Sequence, residues 1–308
     1  MKIAMIGAGG LGGYFGGLLA RKGHEVTFVA RGAHLQALQQ YGLQVKSTFG
    51  DFQIKPARAT DDPAQVGVVD LVLFCTKTYR TDEAALAARA VVGPETTVLS
   101  LQNGVDAVER IGPILGPDHM IAGAAWLSSF VAAPGIVNHV SDFARVVIGE
   151  LNGEITPRLQ AVHDAFKETG TSMEISGSIL SVLWAKLVFI SAAAGFGSLT
   201  RLPMAAYRGV PETRSLIAAL MRETSAVAVA HKIDLDPDVV EKSLAFIDKA
   251  GPMIRASMQV DVEAGRPSEL DSLIGVIGRK GRERGVPTPV ADMIYGTLLP
   301  ADLKARAV

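Results

Sequence analysis

The first thirteen residues, MKIAMIGAGGLGG, constrain the fold more than any other stretch. The apolar run Ile3 to Ile6 reads as a buried strand. It breaks at Gly7 into Gly7-x-Gly9-x-x-Gly12, and a helical pattern follows through Leu18, Leu19 and Ala20. Strand, glycine turn and helix in that order are the setting in which this motif signals dinucleotide binding. Gly7 permits the tight turn, Gly9 lets the backbone approach a pyrophosphate, and Gly12 lets the helix sit close to the sheet. The helix N-terminus then faces the negative charge. Gly7, Ala8, Gly9, Gly10, Leu11 and Gly12 are therefore the candidate cofactor-binding residues. The alternative is a glycine-rich turn without a ligand, and it must bear the weakening that glycines bring to a helix. Gly12 and Gly16, like Gly13 and Gly17, are four apart and leave the helix a nearly bare side.

A chain of 308 residues is long enough for two domains. With 30 basic and 31 acidic residues it offers no broad field for nucleic acid or an anionic membrane. Its single cysteine, Cys75, excludes an internal disulfide. Glycines interrupt the N-terminal apolar run before a signal-peptide core forms. The uncharged stretch Leu187 to Leu199 falls short of the roughly 20 residues of a membrane span. The expectation is a cytoplasmic protein without nucleic-acid or membrane partners. A homodimer is left open.

Further along, Glu25 to Ala30 reads as the second strand. In an NAD-preferring fold an acidic residue usually closes this strand and holds the ribose 2′-hydroxyl. Here Arg31 follows Ala30, and a guanidinium pairs with a 2′-phosphate. Arg31 therefore argues for NADPH over NADH, against the plain alternative of a solvated arginine. Leu43–Ser47 and Phe52–Lys55 flank Gly50-Asp51 as a hairpin. Asp70 to Cys75 and Thr97 to Leu101 are further buried strands, each ending in a polar triplet, Thr76-Lys77-Thr78 and Gln102-Asn103-Gly104. Strand ends of this kind form the ligand-binding edge of open α/β sheets. Lys77 and Asn103 are thus candidates for holding cofactor or substrate. Equally, Lys77 can be a solvated loop residue and Asn103-Gly104 a turn.

A helix over 105–115, a strand over 120–125, antiparallel strands around Pro134-Gly135, a helix near 154–169 and a strand at 172–175 complete the first part. The rest is helical: an all-round apolar helix over 179–199, then helices near 213–232, 237–250, 253–264, 272–284 and a short one near 290–298. The expected fold is α/β, a Rossmann-type doubly wound sheet domain over 1–176 followed by an all-helical domain over 177–308.

Among residues that could do chemistry, Lys186 is the most unusual. It lies among Leu183, Leu187 and Ile190 on an apolar helix. Desolvation would lower its pKa toward the range useful for proton donation, unless the side chain snorkels to water. Glu269 has a bland reading, with Ser268 as helix N-cap and Asp271 completing a box-like arrangement. Ser257 is ordinary by itself. His119, His139, His163 and His231 lack metal-ligand spacing, so no metal is expected.

Taken together these blocks resemble one family, the ketopantoate reductases (2-dehydropantoate 2-reductases), over essentially the whole chain. The resemblance is carried by Gly7–Gly12, Arg31, Lys77, Leu101-Gln102-Asn103-Gly104, Leu183-Trp184-Ala185-Lys186-Leu187, Ser257-Met258 and residues 262–271, VEAGRPSELD. It implies reduction of a small 2-oxo acid by NADPH. Under it, Lys186 donates the proton to the carbonyl oxygen as hydride arrives. Glu269 bonds to the reacting oxygen or on the cofactor side and orients the lysine. Ser257 holds the substrate carboxylate, and Asn103 orients nicotinamide and substrate. Arg31 and Lys77 meet the 2′-phosphate and adenosine end or the phosphates, and Ser129 matches a backbone contact to cofactor.

The chain departs from the family at two points. Asparagines four and eight residues after the lysine touch substrate in the best-known members, and Ile190 and Ala194 stand there instead. The loss of two amides removes hydrogen bonds that a hydroxylated substrate would want. The resemblance implies reduction of 2-dehydropantoate to pantoate, with a more apolar 2-oxo acid as the alternative. Arg201 and Arg208 are alternative carboxylate contacts or plain surface arginines. The rivals are a 3-hydroxyacid or 6-phosphogluconate type dehydrogenase, which would lack the Arg266–Glu269 block, and a non-catalytic NADP-binding sensor.

Overall fold

The computed structural model describes residues 1–307. The chain forms two units. One holds residues 1–102 and 107–179; the other holds 103–106 and the chain from Leu180 onward. The second unit thus opens at Leu180 and takes in the short segment that follows Gln102.

The first unit is built on alternating strands and helices. Strand β1 (Lys2–Ile6) leads into α1 (Gly10–Arg21), β2 (Glu25–Val29) and α2 (Gly32–Tyr41). A hairpin of β3 (Leu43–Ser47) and β4 (Phe52–Ile54) precedes β5 (Arg58–Thr60) and β6 (Leu71–Phe74). Then come α3 (Thr81–Ala88), β7 (Thr97–Ser100), α4 (Ala107–Leu115) and β8 (Met120–Trp126). The unit closes with β9 (Ser129–Ala133), β10 (Ile136–His139), β11 (Arg145–Gly149), α5 (Pro157–Lys167) and β12 (Ser172–Ile175). Observed strands stop a residue short of several sequence expectations, as at Val29 and Phe74, although the next residues, Ala30 and Cys75, still donate to Thr60 and Ile6 of the neighbouring strands.

Eight strands make the main sheet, in the order β12-β11-β8-β7-β6-β1-β2-β5. Among the described residues of this sheet, only β11 and β8 pair antiparallel. Successive side chains of β1 alternate between faces. Ile3 and Met5 join Phe15, Leu19, Leu38, Leu159 and Phe166 in one core cluster. Ala4 and Ile6 join Ala85, Ala88, Ile111 and Leu115 in another. Both faces are covered, which is why the strands read as continuous apolar runs. The chain leaves β1 toward β2 on one side and returns to β6 on the other, so the strand order reverses beside β1.

A second sheet, order β4-β3-β10-β9, combines the expected β3–β4 hairpin with the strands around Pro134-Gly135. Helix α1 is gripped between the two sheets, and its glycines make this fit. A methyl at Gly16 would stand 2.6 Å from the Phe28 ring on β2. At Gly13 it would stand 2.7 Å from Val137 on β10, and at Gly17 3.1 Å from Leu43 on β3. The glycine pairs thus form two bare stripes, one for each sheet, rather than a single bare side.

The second unit carries α6 (Ile179–Thr200, its first residue in the first unit), α7 (Met204–Arg208), α8 (Pro211–Ala230), α9 (Val239–Lys249), α10 (Ser257–Glu263), α11 (Val276–Arg284) and α12 (Pro289–Arg306). Helix α6 runs 22 residues and is apolar enough by length and composition to cross a membrane, longer than the uncharged stretch suggested. Yet 61% of its most apolar window is buried against protein, as in a core helix. Gly195 lets Ile294 of α12 and Ile274 approach within 3.2–3.3 Å of where a methyl would be. Trp184 is buried and stacks on His231, whose Nε2 pairs with the Lys280 carbonyl.

Two expectations are corrected here. Helix α12 does not stop near Leu298 but continues through Pro300 to Arg306. Pro300 and Gly296 are both exposed, so the Gly296 carbonyl that loses its helical donor faces water. Asp271 does not complete a box with Ser268. It binds Arg279 and Tyr295, while the Ser268 N–H and hydroxyl both donate to Asp302 at 2.8 and 2.7 Å.

Candidate active site

The sheet edge of the first unit carries the candidate nucleotide-binding residues. Gly7 adopts φ +99°, open to glycine, and a side chain there would strike Thr76. A methyl on Gly12 would come 2.0 Å from the Gly7 carbonyl oxygen, so the turn and the helix start close only with glycine at both positions. Gly10 leaves room for the Ser129–Phe130 backbone, which places Ser129, the first residue of β9, beside the start of α1. Leu11 continues the first helical turn. Helix α1 begins without a side-chain cap, so its first N–H groups and its dipole are available to an anion.

Next to this turn lies a cavity of about 320 Å³. It is lined by Gly7, Ala8 and Gly9 after β1, Arg31 after β2, Asp61 after β5 and Thr76 after β6. These are the C-terminal ends of strands around the reversal in strand order, where such sheets bind nucleotides. A methyl on Gly9 would meet no protein atom within 4 Å. The bare glycine backbone and the basic side chains of this lining fit the phosphates and adenosine end of a dinucleotide. His34 stiffens it: Nε2 pairs with the Ala8 carbonyl at 2.9 Å and Nδ1 accepts the Gly135 N–H at 3.1 Å. Burial lowers its pKa, which suits a neutral ring using one nitrogen as donor and one as acceptor.

Arg31 lines the cavity from the N-cap position of α2. Lys77 caps the short 3₁₀ turn Thr78–Arg80 and is not among the lining residues; Thr76 before it and Arg80 after it are. Arg80, Glu83, Asp61 and His34 escaped the sequence reading. Arg80 and Glu83 lie three and six residues beyond Lys77, and His34 lies three beyond Arg31, but no spacing rule marks them.

The second unit brings together three residues that the sequence scatters. Lys186 Nζ, about a third of the way along α6, donates to Asn103 Oδ1 at 3.0 Å. Asn103 Nδ2 in turn donates to Glu269 Oε2 at 3.2 Å. Glu269 is buried, and the adjacent Ser268 is fully buried on Asp302, itself paired with Arg306. The turn Asp271–Gly275 is a π-helix, a form common at functional sites. Arg279 ties Asp271 to Asp106, and so anchors the segment bearing Asn103 to the helix that follows Glu269. Gly104, at φ +96°, would strike the Ser272 carbonyl if it carried a side chain. Asn103-Gly104 is thus both a turn and a packed contact.

Burial pushes the Lys186 ammonium down to about 8, with the Glu269 carboxylate pulling it back up. An ammonium so tuned is protonated at neutral pH and can still give its proton away. Ser257 begins α10 as an exposed residue outside this trio. Ile190 is partly exposed and Ala194 buried on α6. Arg208 is not a free anion contact, because it donates to the carbonyls of Ile247 and Ala250 at 2.6 Å each and caps α9. Arg201 is exposed beyond the end of α6, in a left-handed conformation at φ 57°.

A doubly wound sheet with a glycine turn at its edge, followed by a helical unit with a tuned lysine, defines a nicotinamide-nucleotide-dependent oxidoreductase. The family model for ketopantoate reductase PanE/ApbA matches residues 3–153, and that for its C-terminal part matches 178–301. A 2-dehydropantoate 2-reductase of Nostoc sp. is 30% identical over 310 residues, covering 99% of this chain and 96% of its own. The crystal structure of a PanE/ApbA family ketopantoate reductase from Ralstonia eutropha superposes with a TM-score of 0.91 at 32% identity, over 99% of this chain and all of the other. D-mandelate dehydrogenase with NADH and anilino(oxo)acetate shares the fold, TM-score 0.90 at 23% identity over 99% of both chains. The chain belongs to the ketopantoate reductase family.

Proposed function

We propose that this protein reduces 2-dehydropantoate, a 2-oxo acid, to its 2-hydroxy acid with NADPH. The observation that carries the reading is the hydrogen-bonded chain Lys186–Asn103–Glu269, set in a family of such reductases. A nicotinamide nucleotide held at the β1–α1 turn would supply the hydride. Lys186 donates a proton to the carbonyl oxygen, which would otherwise carry full negative charge. Asn103 holds the lysine by its Oδ1 and passes the orientation of Glu269 through its amide. Glu269 keeps the ammonium protonated by opposing the effect of burial. Arg31 at the cavity favours the 2′-phosphate of NADPH, and Ser257 remains the proposed carboxylate contact by family likeness.

A second reading has one observation in its favour. Ile190 and Ala194 follow Lys186 on α6 by about one and two turns and offer no hydrogen bond. They suit a 2-oxo acid with an apolar side chain better than one bearing a hydroxyl. NADPH oxidation with 2-dehydropantoate and with branched apolar 2-oxo acids separates the readings. Fast turnover of 2-dehydropantoate, reduced about 10²- to 10⁴-fold in Lys186→Ala, is the expected result. Preference for an apolar 2-oxo acid would make Ile190 and Ala194 the specificity determinants. Tight NADPH binding without turnover of any 2-oxo acid would leave a cofactor-binding sensor instead.

A further inference from the structure

Arg31, whose charge argues for the 2′-phosphate of NADPH, is already engaged. Its Nη1 donates to Glu83 Oε1 at 2.6 Å, and the two side chains are 53% and 56% exposed. Glu83 lies in the first turn of α3, and both residues line the cavity together with Arg80 and Asp61. Two guanidinium groups thus face two carboxylates, and these four charges cancel. In folds of this kind the carboxylate that reads the ribose usually closes the second strand. Here an arginine follows that strand, and a carboxylate arrives at the same cavity from α3.

We propose that Glu83 sets the discrimination between NADPH and NADH, competing with the 2′-phosphate for Arg31 and accepting the ribose 2′-hydroxyl when no phosphate is there. The inference rests on the reading that this cavity holds the adenosine end of a nicotinamide dinucleotide. When NADPH binds, Arg31 must leave Glu83 for the phosphate, and the carboxylate is left beside a like charge, with Arg80 as the other cation at hand. When NADH binds, the hydroxyl can donate to Glu83 while Arg31 stays where it is. An exposed ion pair of this kind is weak, so the exchange is accessible and the discrimination it imposes is modest. The guanidinium keeps the Glu83 carboxyl below its ordinary range, so the competing group is charged throughout neutral pH.

The test is the dissociation constant of each reduced nucleotide, followed by its nicotinamide fluorescence at fixed ionic strength, without any 2-oxo acid. The variants are Glu83→Gln, Glu83→Ala and Arg31→Ala. Both Glu83 variants are expected to bind NADPH about three- to tenfold tighter than wild type, with NADH unchanged or weaker. Arg31→Ala is expected to weaken NADPH alone. An unchanged NADPH-to-NADH ratio in both Glu83 variants, with nucleotide still bound, would overturn the role of Glu83 and leave the cofactor reading intact. Absence of binding of either nucleotide to the wild-type protein would overturn both.

Discussion

At the scale of single residues, the decisive group is Lys186. Its charge in an apolar helix is visible in the sequence, because an ammonium so placed must be either solvated or put to use. Its partners are not visible: Glu269 lies 166 residues from Asn103, and its local pattern looks like an ordinary helix start. The pKa of about 8 gives a prediction with a definite sign. In the proposed reaction the lysine acts in its protonated form, so kcat/KM should be level below this value and fall as pH rises through it. In Glu269→Gln the carboxylate that raises the lysine pKa is gone, and the falling limb should move to lower pH. A pH–rate profile on both proteins checks this, and a limb that stays in place or moves upward would remove Glu269 from the coupling.

At the scale of elements, the β1–α1 turn was readable from the glycine spacing because its constraints are local. Gly12 meets Gly7, five residues away. Gly12→Ala would drive a methyl into the Gly7 carbonyl oxygen, and the expected cost is about 2–3 kcal/mol of stability with loss of nucleotide affinity. Urea unfolding and NADPH fluorescence titration measure the two effects, and a variant that keeps wild-type affinity would contradict the close fit described. The length of α12 was less readable. Pro300 looks like a stop signal, and only the exposure of Pro300 and Gly296 shows why the helix can run on. The same holds for Ser268, whose cap-like spacing with Asp271 gave way to Asp302 on α12.

At the scale of the whole molecule, nucleotide binding should register as stability. A ligand at 100 times its dissociation constant adds about 2.7 kcal/mol to the state that binds it. For a unit of this size that is a rise in Tm of roughly 5–10 °C. Differential scanning fluorimetry with NADPH tests it, and an unchanged Tm at saturating nucleotide would argue against the cavity as a cofactor site. The family models match residues 3–153 and 178–301, so family membership is a property of nearly the whole chain.

The sequence by itself determined the fold class, the glycine turn, the arginine after the second strand and the placing of a lysine in an apolar helix, because each depends on neighbours a few residues away. Apolar runs, turn glycines and a charge in an apolar helix obey short-range rules of sterics and solvation. Tertiary structure alone decided which side chains meet. The strand order β6-β1-β2 carries α3 to the end of β2 and sets Glu83 against Arg31. The helical unit gathers Asn103, Lys186 and Glu269 from three distant segments. Electrostatics acts through space and not along the chain, so the pairings that tune the lysine and balance the charges around the cavity exist only once the chain has folded.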